Sequence, residues 1–171
     1  LAKLKARGGF YKDYPETLES LSELRKLPFT TAADLSAYPG KFLLTSQSEV
    51  SRVISGATSG TTGPAKRVFY TDRDTEHTVG FFAAGISEML SVGEKCLIAF
   101  PFTGPFGLGD LIARAVERLG AEPVKAGFGQ TWEELTALVR HTRPETYIGF
   151  PVTLLSLIRV YGEDFPIKRA L

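Results

Sequence analysis

From residue 72 onward the apolar positions alternate between two rhythms. Val79, Phe82, Ala83, Ile86, Met89 and Leu90 recur near the 3.6-residue period and predict an amphipathic helix that Asp72 or Asp74 can cap. Cys96 to Phe100 is a continuous apolar run of the kind buried in a parallel sheet. Leu108, Leu111, Ile112, Ala115 and Leu119 stripe the next helix, which Gly120 stops. Glu122 to Lys125 reads as a short strand, and Thr131-x-x-Glu134 is a capping box opening a helix with Trp132, Leu135, Leu138 and Val139 inward. Thr146 to Gly149 is a further strand. The helix after it, Val152 to Val160, is almost wholly apolar, so it is expected to be buried on all sides. Strands alternating with helices predict an α/β fold, a three-layer domain whose mostly parallel sheet is flanked by helices on both faces and joined by right-handed crossovers.

Upstream the pattern is sparser. Ser20-x-x-Glu23 is a capping box before Leu21, Leu24 and Leu27, and Pro28 closes what should be a two-turn helix. A second short helix, capped by Thr30 or Thr31 with Asp34 in its first turn, should end near Tyr38-Pro39-Gly40. Two β-patterned runs follow, Val50 to Ile54 and Arg67 to Thr71. The domain reading is a helical lead-in over 1–45 and an α/β region over 46–171. Leu1 to Gly9 is basic and lacks a methionine start, so the true N-terminus is expected upstream.

Between those two runs lies Ser-Gly-Ala-Thr-Ser-Gly-Thr-Thr-Gly-Pro-Ala-Lys, residues 55–66, with no side chain that could serve a core. Gly56, Gly60 and Gly63 allow positive φ and close approach of the backbone, while Thr58, Ser59, Thr61 and Thr62 offer hydroxyls beside exposed amides. Consecutive N–H groups curled in this way make an anion cradle, and Lys66 adds positive charge. A phosphate is the natural guest, and a flexible linker is the bland alternative. The Walker pattern does not apply: Gly56 is followed five places later by Thr61, Gly60 by Ala65, and Lys66 leads into a strand rather than a helix.

The segment Thr58-Ser59-Gly60-Thr61-Thr62-Gly63-Pro64-Ala65-Lys66 resembles the signature loop of the adenylate-forming enzymes, roughly Ser/Thr-Ser-Gly-Thr-Thr-Gly-x-Pro-Lys, with its proline one place early. The stretch Ser-Leu-Ser-Glu-Leu-Arg-Lys-Leu-Pro-Phe-Thr-Thr-Ala-Ala-Asp-Leu, residues 20–35, is similar to the lead-in of the phenylacetate-CoA ligase branch. So is the text through Glu117-Arg118-Leu119-Gly120-Ala121. The resemblance implies that Thr58, Ser59, Gly60, Thr61, Thr62, Gly63 and Lys66 hold the phosphates of ATP. It further implies Mg²⁺ and coenzyme A as cofactors and a small-molecule carboxylate as substrate. The carboxylate would attack the α-phosphorus, pyrophosphate would leave, and a thiol would take the acyl group from the adenylate.

In open α/β sheets ligands bind beyond the carboxyl ends of strands. The loop after Phe100 joins two aromatics to three glycines, Pro101 to Gly109, and admits two readings: rings projecting into a cleft, or rings filling core. In the family this segment and the turn at Gly149-Phe150-Pro151 border the acid pocket, which makes Phe102, Phe106, Gly107, Phe150 and Pro151 the pocket candidates. The family's adenine and ribose motifs and its catalytic lysine have no counterpart among these residues, so the chain is expected to be a fragment that is inactive alone. A non-catalytic phosphate-binding or nucleotide-binding module is the rival reading.

Charge narrows the partners. Twenty basic and nineteen acidic residues in 171 leave +1, spread without runs, so neither a nucleic-acid nor a membrane footprint is present. The single Cys96 excludes an internal disulfide and a multi-cysteine metal site, and the cytosol is the expected compartment. The apolar stretch Tyr147 to Ile158 is too short to span a bilayer. His77 and His141 are the only histidines and both fall on helices, and there is no G-x-S-x-G elbow, so a serine hydrolase is poorly supported. A missing partner half should leave apolar surface exposed, so self-association is expected.

Overall fold

The structure, a computed structural model, describes residues 1–6, 11–56, 66–104 and 106–171. These residues form two compact units, Leu1–Arg73 and Asp74–Leu171.

In the first unit a short helix α1, Ala2–Ala6, precedes a cluster in which Tyr11 packs edge-on against Tyr14 and Phe42 at centroid distances of 5.2 and 6.0 Å. Helix α2, Ala32–Ala37, begins as its sequence asks: Thr31 Oγ1 accepts from Asp34 N, and the Asp34 carboxylate accepts from Thr31 N. The other expected capping box does not form. Residues Leu21–Lys26 make a 3₁₀ turn in which the Ser20 side chain caps nothing, while Glu23 accepts from Glu19 N at 2.9 Å. Leu21 and Leu24 are exposed, so no burial offsets the nucleation cost of a helix this short before Pro28. Strands β1, Val50–Gly56, and β2, Lys66–Thr71, pair as an antiparallel hairpin from Val50↔Thr71 to Gly56↔Lys66, with a register irregularity between Val50 and Arg52.

The second unit is the three-layer sandwich. Helix α3, Asp72–Ile86, leads into it and is followed by β3, Lys95–Ala99, α4, Leu108–Arg118, and β4, Glu122–Lys125. Then come α5, Trp132–Thr142, β5, Thr146–Gly149, α6, Pro151–Tyr161, and a two-residue β6, Arg169–Ala170. The sheet order is β4-β3-β5-β6 and every pairing is parallel. The two-residue period of β3 builds both cores. Cys96 and Ile98, with Ile148, face Val79, Ala83 and Ile86 of α3 and Ile112, Ala115 and Val116 of α4. Leu97 and Ala99, with Val124 and Tyr147, face Val139 of α5 and Leu157 of α6.

The helix stripes differ from their sequence patterns in three places. Helix α3 stops at Ile86, and Leu90 is buried from the following turn, where the Met89 carbonyl accepts from Thr146 Oγ1 at 3.3 Å. Leu108 and Trp132, both expected inward, are exposed rather than buried, and each stands at the first residue of its helix. Helix α6 is the larger departure: Leu157 is fully buried, yet Val152 is 75% exposed and Leu155, Ile158 and Val160 are exposed with it. It packs along one stripe only, and its second apolar face is open to solvent. Among the described residues no helix is long and apolar enough to cross a membrane.

Candidate functional site

Strand order and helix placement define where a ligand belongs. After β3 the chain turns into α4 on one face of the sheet, and after β5 it turns into α6 on the other. β3 and β5 are neighbours, so their carboxyl ends diverge and leave a crevice, the switch point at which open α/β sheets bind ligands. Phe100, the first residue past this pairing on the β3 side, and Gly149, the last paired residue of β5, border it.

A cavity of about 520 Å³ opens there. Its floor is Phe100, Ile148 and Gly149 from the sheet; α4 supplies Leu108 and Ile112; α3 supplies Phe81 to Ile86 except Ala83; Leu171 closes one end. Every one of these side chains is apolar or absent, and the exposed Phe81, Leu108 and Leu171 stand at its rim. An unpaired carboxylate inside would cost several kcal/mol or more, so a charged guest must leave its charge outside.

The five residues proposed from sequence for an acid pocket stand around the crevice and not in the cavity wall. Phe102 lies beneath the Lys125 ammonium, 5.5 Å from ring centroid to Nζ. Phe106 is partly buried in the turn before α4. Gly107 is the N-terminal cap of α4, where a Cβ would come within 2.7 Å of Thr103 Oγ1 and 2.8 Å of Asp110 Oδ2 and Thr103 N, so only glycine fits. Asp110 Oδ2 is buried with no hydrogen-bond partner among the described residues. Phe150 packs edge-on against Phe100 at 5.1 Å and stacks on Phe128 at 6.0 Å, which links it to the cavity floor through a shared ring. Pro151 is the first residue of α6. Beneath them, burial pushes the Tyr147 phenol above its ordinary pKa, and burial raises the Cys96 thiol to about 12, which leaves neither ionised near neutrality.

The phosphate-loop candidates divide. Thr58, Ser59, Gly60, Thr61, Thr62 and Gly63 lie outside the described residues. Lys66 opens β2 and pairs with Gly56 at the end of β1. Among the described residues no group of three or more His, Cys, Asp or Glu could hold a metal ion.

What sequence reading missed is the far wall. Phe82 reads there only as part of the amphipathic stripe of α3, and Phe81, Gly85 and Phe100 carry no functional sign. The available signal was the Phe81-Phe82 doublet followed by Ala84-Gly85: two adjacent rings on one helix cannot both face a core, and small residues one turn on leave room beside them.

No protein-family model matches the chain. Its fold is that of the adenylate-forming CoA ligases. Ninety-eight per cent of the chain superposes on 2-hydroxyisobutyryl-CoA ligase in complex with 2-HIB-AMP and CoA in the thioesterification state, with TM-score 0.72, 21% identity and 37% of that chain covered. The open conformation of the same ligase gives TM-score 0.71 at 19% identity, with 40% of that chain covered. Sequence narrows the relationship further. The chain is 34% identical to phenylacetate-coenzyme A ligase of Escherichia coli (strain K12) over 150 residues, 85% of this chain and 33% of that protein. The enzyme of the same name from Pseudomonas putida gives 34% over 149 residues, 84% of this chain and 32% of that one. The chain is therefore homologous to phenylacetate-CoA ligases, and it spans about a third of the length of the curated relatives it matches.

Proposed function

We propose that the chain is part of an ATP-dependent carboxylate–CoA ligase that activates an aryl or acyl acid as its adenylate. The observation that carries the reading is the match to phenylacetate-CoA ligases over 85% of the chain. The loop Thr58 to Gly63 with Lys66 holds the triphosphate of ATP through amides, hydroxyls and one ammonium, the kind of positioning and charge neutralisation on which phosphoryl chemistry depends. The carboxylate attacks the α-phosphorus, pyrophosphate departs, and the thiolate of coenzyme A then displaces AMP from the acyl carbon. Mg²⁺ would neutralise the phosphates. Residues 1–45 serve as the lead-in and 46–171 as the ligase region proper, set in the cytosol. The five candidates Phe102, Phe106, Gly107, Phe150 and Pro151 shape the crevice at the ends of β3 and β5, and the apolar cavity receives the body of the acid.

Alone, the 171 residues bind phosphate and part of an acid without turning over, and the bare face of α6 supports their self-association. The test is thioester formation by the gene product that carries this chain, assayed with ATP, coenzyme A and a panel of aryl and alkyl acids. Acid-dependent acyl-CoA is expected. Saturable ATP binding without product from any acid would favour the non-catalytic nucleotide-binding module instead.

A further inference from the structure

At position 147 the core asks only for an apolar ring, and the chain puts a tyrosine there. Tyr147 lies in β5, is buried, and shares the core of Leu97, Val139 and Leu157. A buried phenol must find a partner for its hydroxyl, and this one donates to the Phe150 carbonyl at 2.9 Å. That carbonyl stands at the N-terminal cap of α6 and already accepts from Thr153 N at 3.1 Å and Leu154 N at 3.3 Å. The helix is therefore served without the phenol, and the added bond ties the interior of β5 to the turn that follows it. Room for the bond comes from Gly149, where a Cβ would stand 2.5 Å from the Tyr147 oxygen and 2.7 Å from its Cζ. The Phe150 ring, on the same residue as the tethered carbonyl, packs edge-on against Phe100 at 5.1 Å and stacks on the exposed Phe128 at 6.0 Å. Backbone and ring of Phe150 are thus both fixed beside the crevice between β3 and β5.

We propose that Tyr147 is a positioning residue for acid recognition: its hydroxyl holds the Phe150 carbonyl, and through it the Phe150 ring, in place at the crevice. The role in recognition rests on the ligase reading; the placement of Phe150 rests on the hydrogen bond and on the space left at Gly149. Being buried, Tyr147 touches no reactant, so its effect on the acid passes through Phe150. Residues that act as one unit are non-additive, and once the Phe150 ring is gone the hydroxyl should have nothing left to position.

The experiment is a double-mutant cycle in the gene product that carries this chain, with Tyr147→Phe, Phe150→Ala and the double variant. Thioester formation is assayed with ATP, coenzyme A and each of phenylacetate, benzoate and hexanoate. In Tyr147→Phe the KM for the reacting acid should rise about fivefold, as expected for one lost hydrogen bond, while the KM for ATP changes less than twofold. With Phe150→Ala already present, adding Tyr147→Phe should raise the acid KM less than twofold. A fivefold effect in both backgrounds, an equal rise in the KM for ATP, or no rise in the acid KM would overturn the proposal. Amide exchange on the same proteins reads the placement without turnover: Thr153 and Leu154 should exchange severalfold faster in Tyr147→Phe, while Leu97 and Ile98 of β3 keep wild-type rates. Unchanged exchange at Thr153 and Leu154 would overturn the tether whatever the kinetics. If wild type forms thioester from none of the three acids, the ligase reading fails and the recognition role falls with it, and the exchange rates still decide whether Tyr147 holds the turn.

Discussion

Tyr147 donates its hydroxyl to the backbone carbonyl of Phe150 at 2.9 Å, spanning the turn that carries the chain from β5 into α6. That bond lies across Gly149, where a Cβ would stand 2.5 Å from the Tyr147 oxygen and 2.8 Å from Ala99 Cβ. The turn at the floor of the cavity is thus held from beneath by a buried phenol that leaves no space for a side chain. Gly149→Ala should lower stability by about 1–3 kcal/mol through overpacking. Tyr147→Phe, which keeps the ring, should cost about 1 kcal/mol for the lost hydrogen bond. Urea denaturation of the two variants checks both, and a neutral Gly149→Ala would contradict the packing described.

Positions with unusual backbone or space separate in sign. Gly107→Ala meets Thr103 backbone and Asp110, so it should destabilise by about 1–3 kcal/mol. Arg143 ends α5 at φ 46°, a left-handed conformation that glycine adopts freely, so Arg143→Gly should raise stability by about 1 kcal/mol. Thermal melts of the pair should move in opposite directions.

The buried thiol sets an alkaline limit. Burial raises the Cys96 pKa to about 12, above its unfolded value near 9, so its contribution is complete below pH 9 and is lost as pH rises toward 12. Tyr147, also raised by burial, acts in the same direction at higher pH. The fall in unfolding free energy between pH 9 and 11 should be shallower in Cys96→Ala than in wild type. A thiol reagent at pH 8 should leave the native chain unmodified and label the unfolded chain.

On the acid side the sign reverses. Glu94 is held below the usual carboxylate range by hydrogen bonds from Arg169 and from Ser91 N, and Glu76 by those from Arg118 and Arg114. Their stabilisation is present above the unfolded glutamate pKa and is lost as pH falls through the lowered folded value. Glu94→Gln should flatten the loss of stability below pH 4.5 and speed amide exchange in β6, which Arg169 anchors. An unchanged acid limb in Glu94→Gln would remove the pair from the account.

How much of this was legible beforehand depends on whether a residue's role is local. The capping box at Thr131/Glu134 was readable because it is closed within four residues, whereas at α2 the sequence left Thr30 and Thr31 as alternative caps and Thr31 closes on Asp34. The run Cys96 to Phe100 announced a strand buried on both faces, which alternation in the two cores bears out. Ser20-x-x-Glu23 has the same spelling as the working boxes but no apolar partner to hold its turn, and tertiary context decides such cases. The apolar circumference of α6 gave no indication that one side would meet solvent. The cavity was hidden for a related reason: its walls come from α3, β3, α4, β5 and the last residue, a set that only topology assembles.

Self-association is the outcome expected from that open face. Val152, Leu155, Ile158 and Val160 expose apolar surface together, so sedimentation of the chain at increasing concentration should reveal dimers or larger species. Leu155→Glu should return it toward a monomer, and a clean wild-type monomer would refute the expectation.

The central claim is that the loop of residues 58–66 serves acid activation by ATP. The most direct measurement is acid-dependent ATP–pyrophosphate exchange by the gene product carrying this chain, compared with its Thr61→Ala and Lys66→Ala variants. Exchange should require an apolar carboxylic acid and fall by about 10²–10³-fold when a phosphate-holding donor is removed. Exchange at wild-type rate in both variants, or no exchange with any acid, would contradict the account.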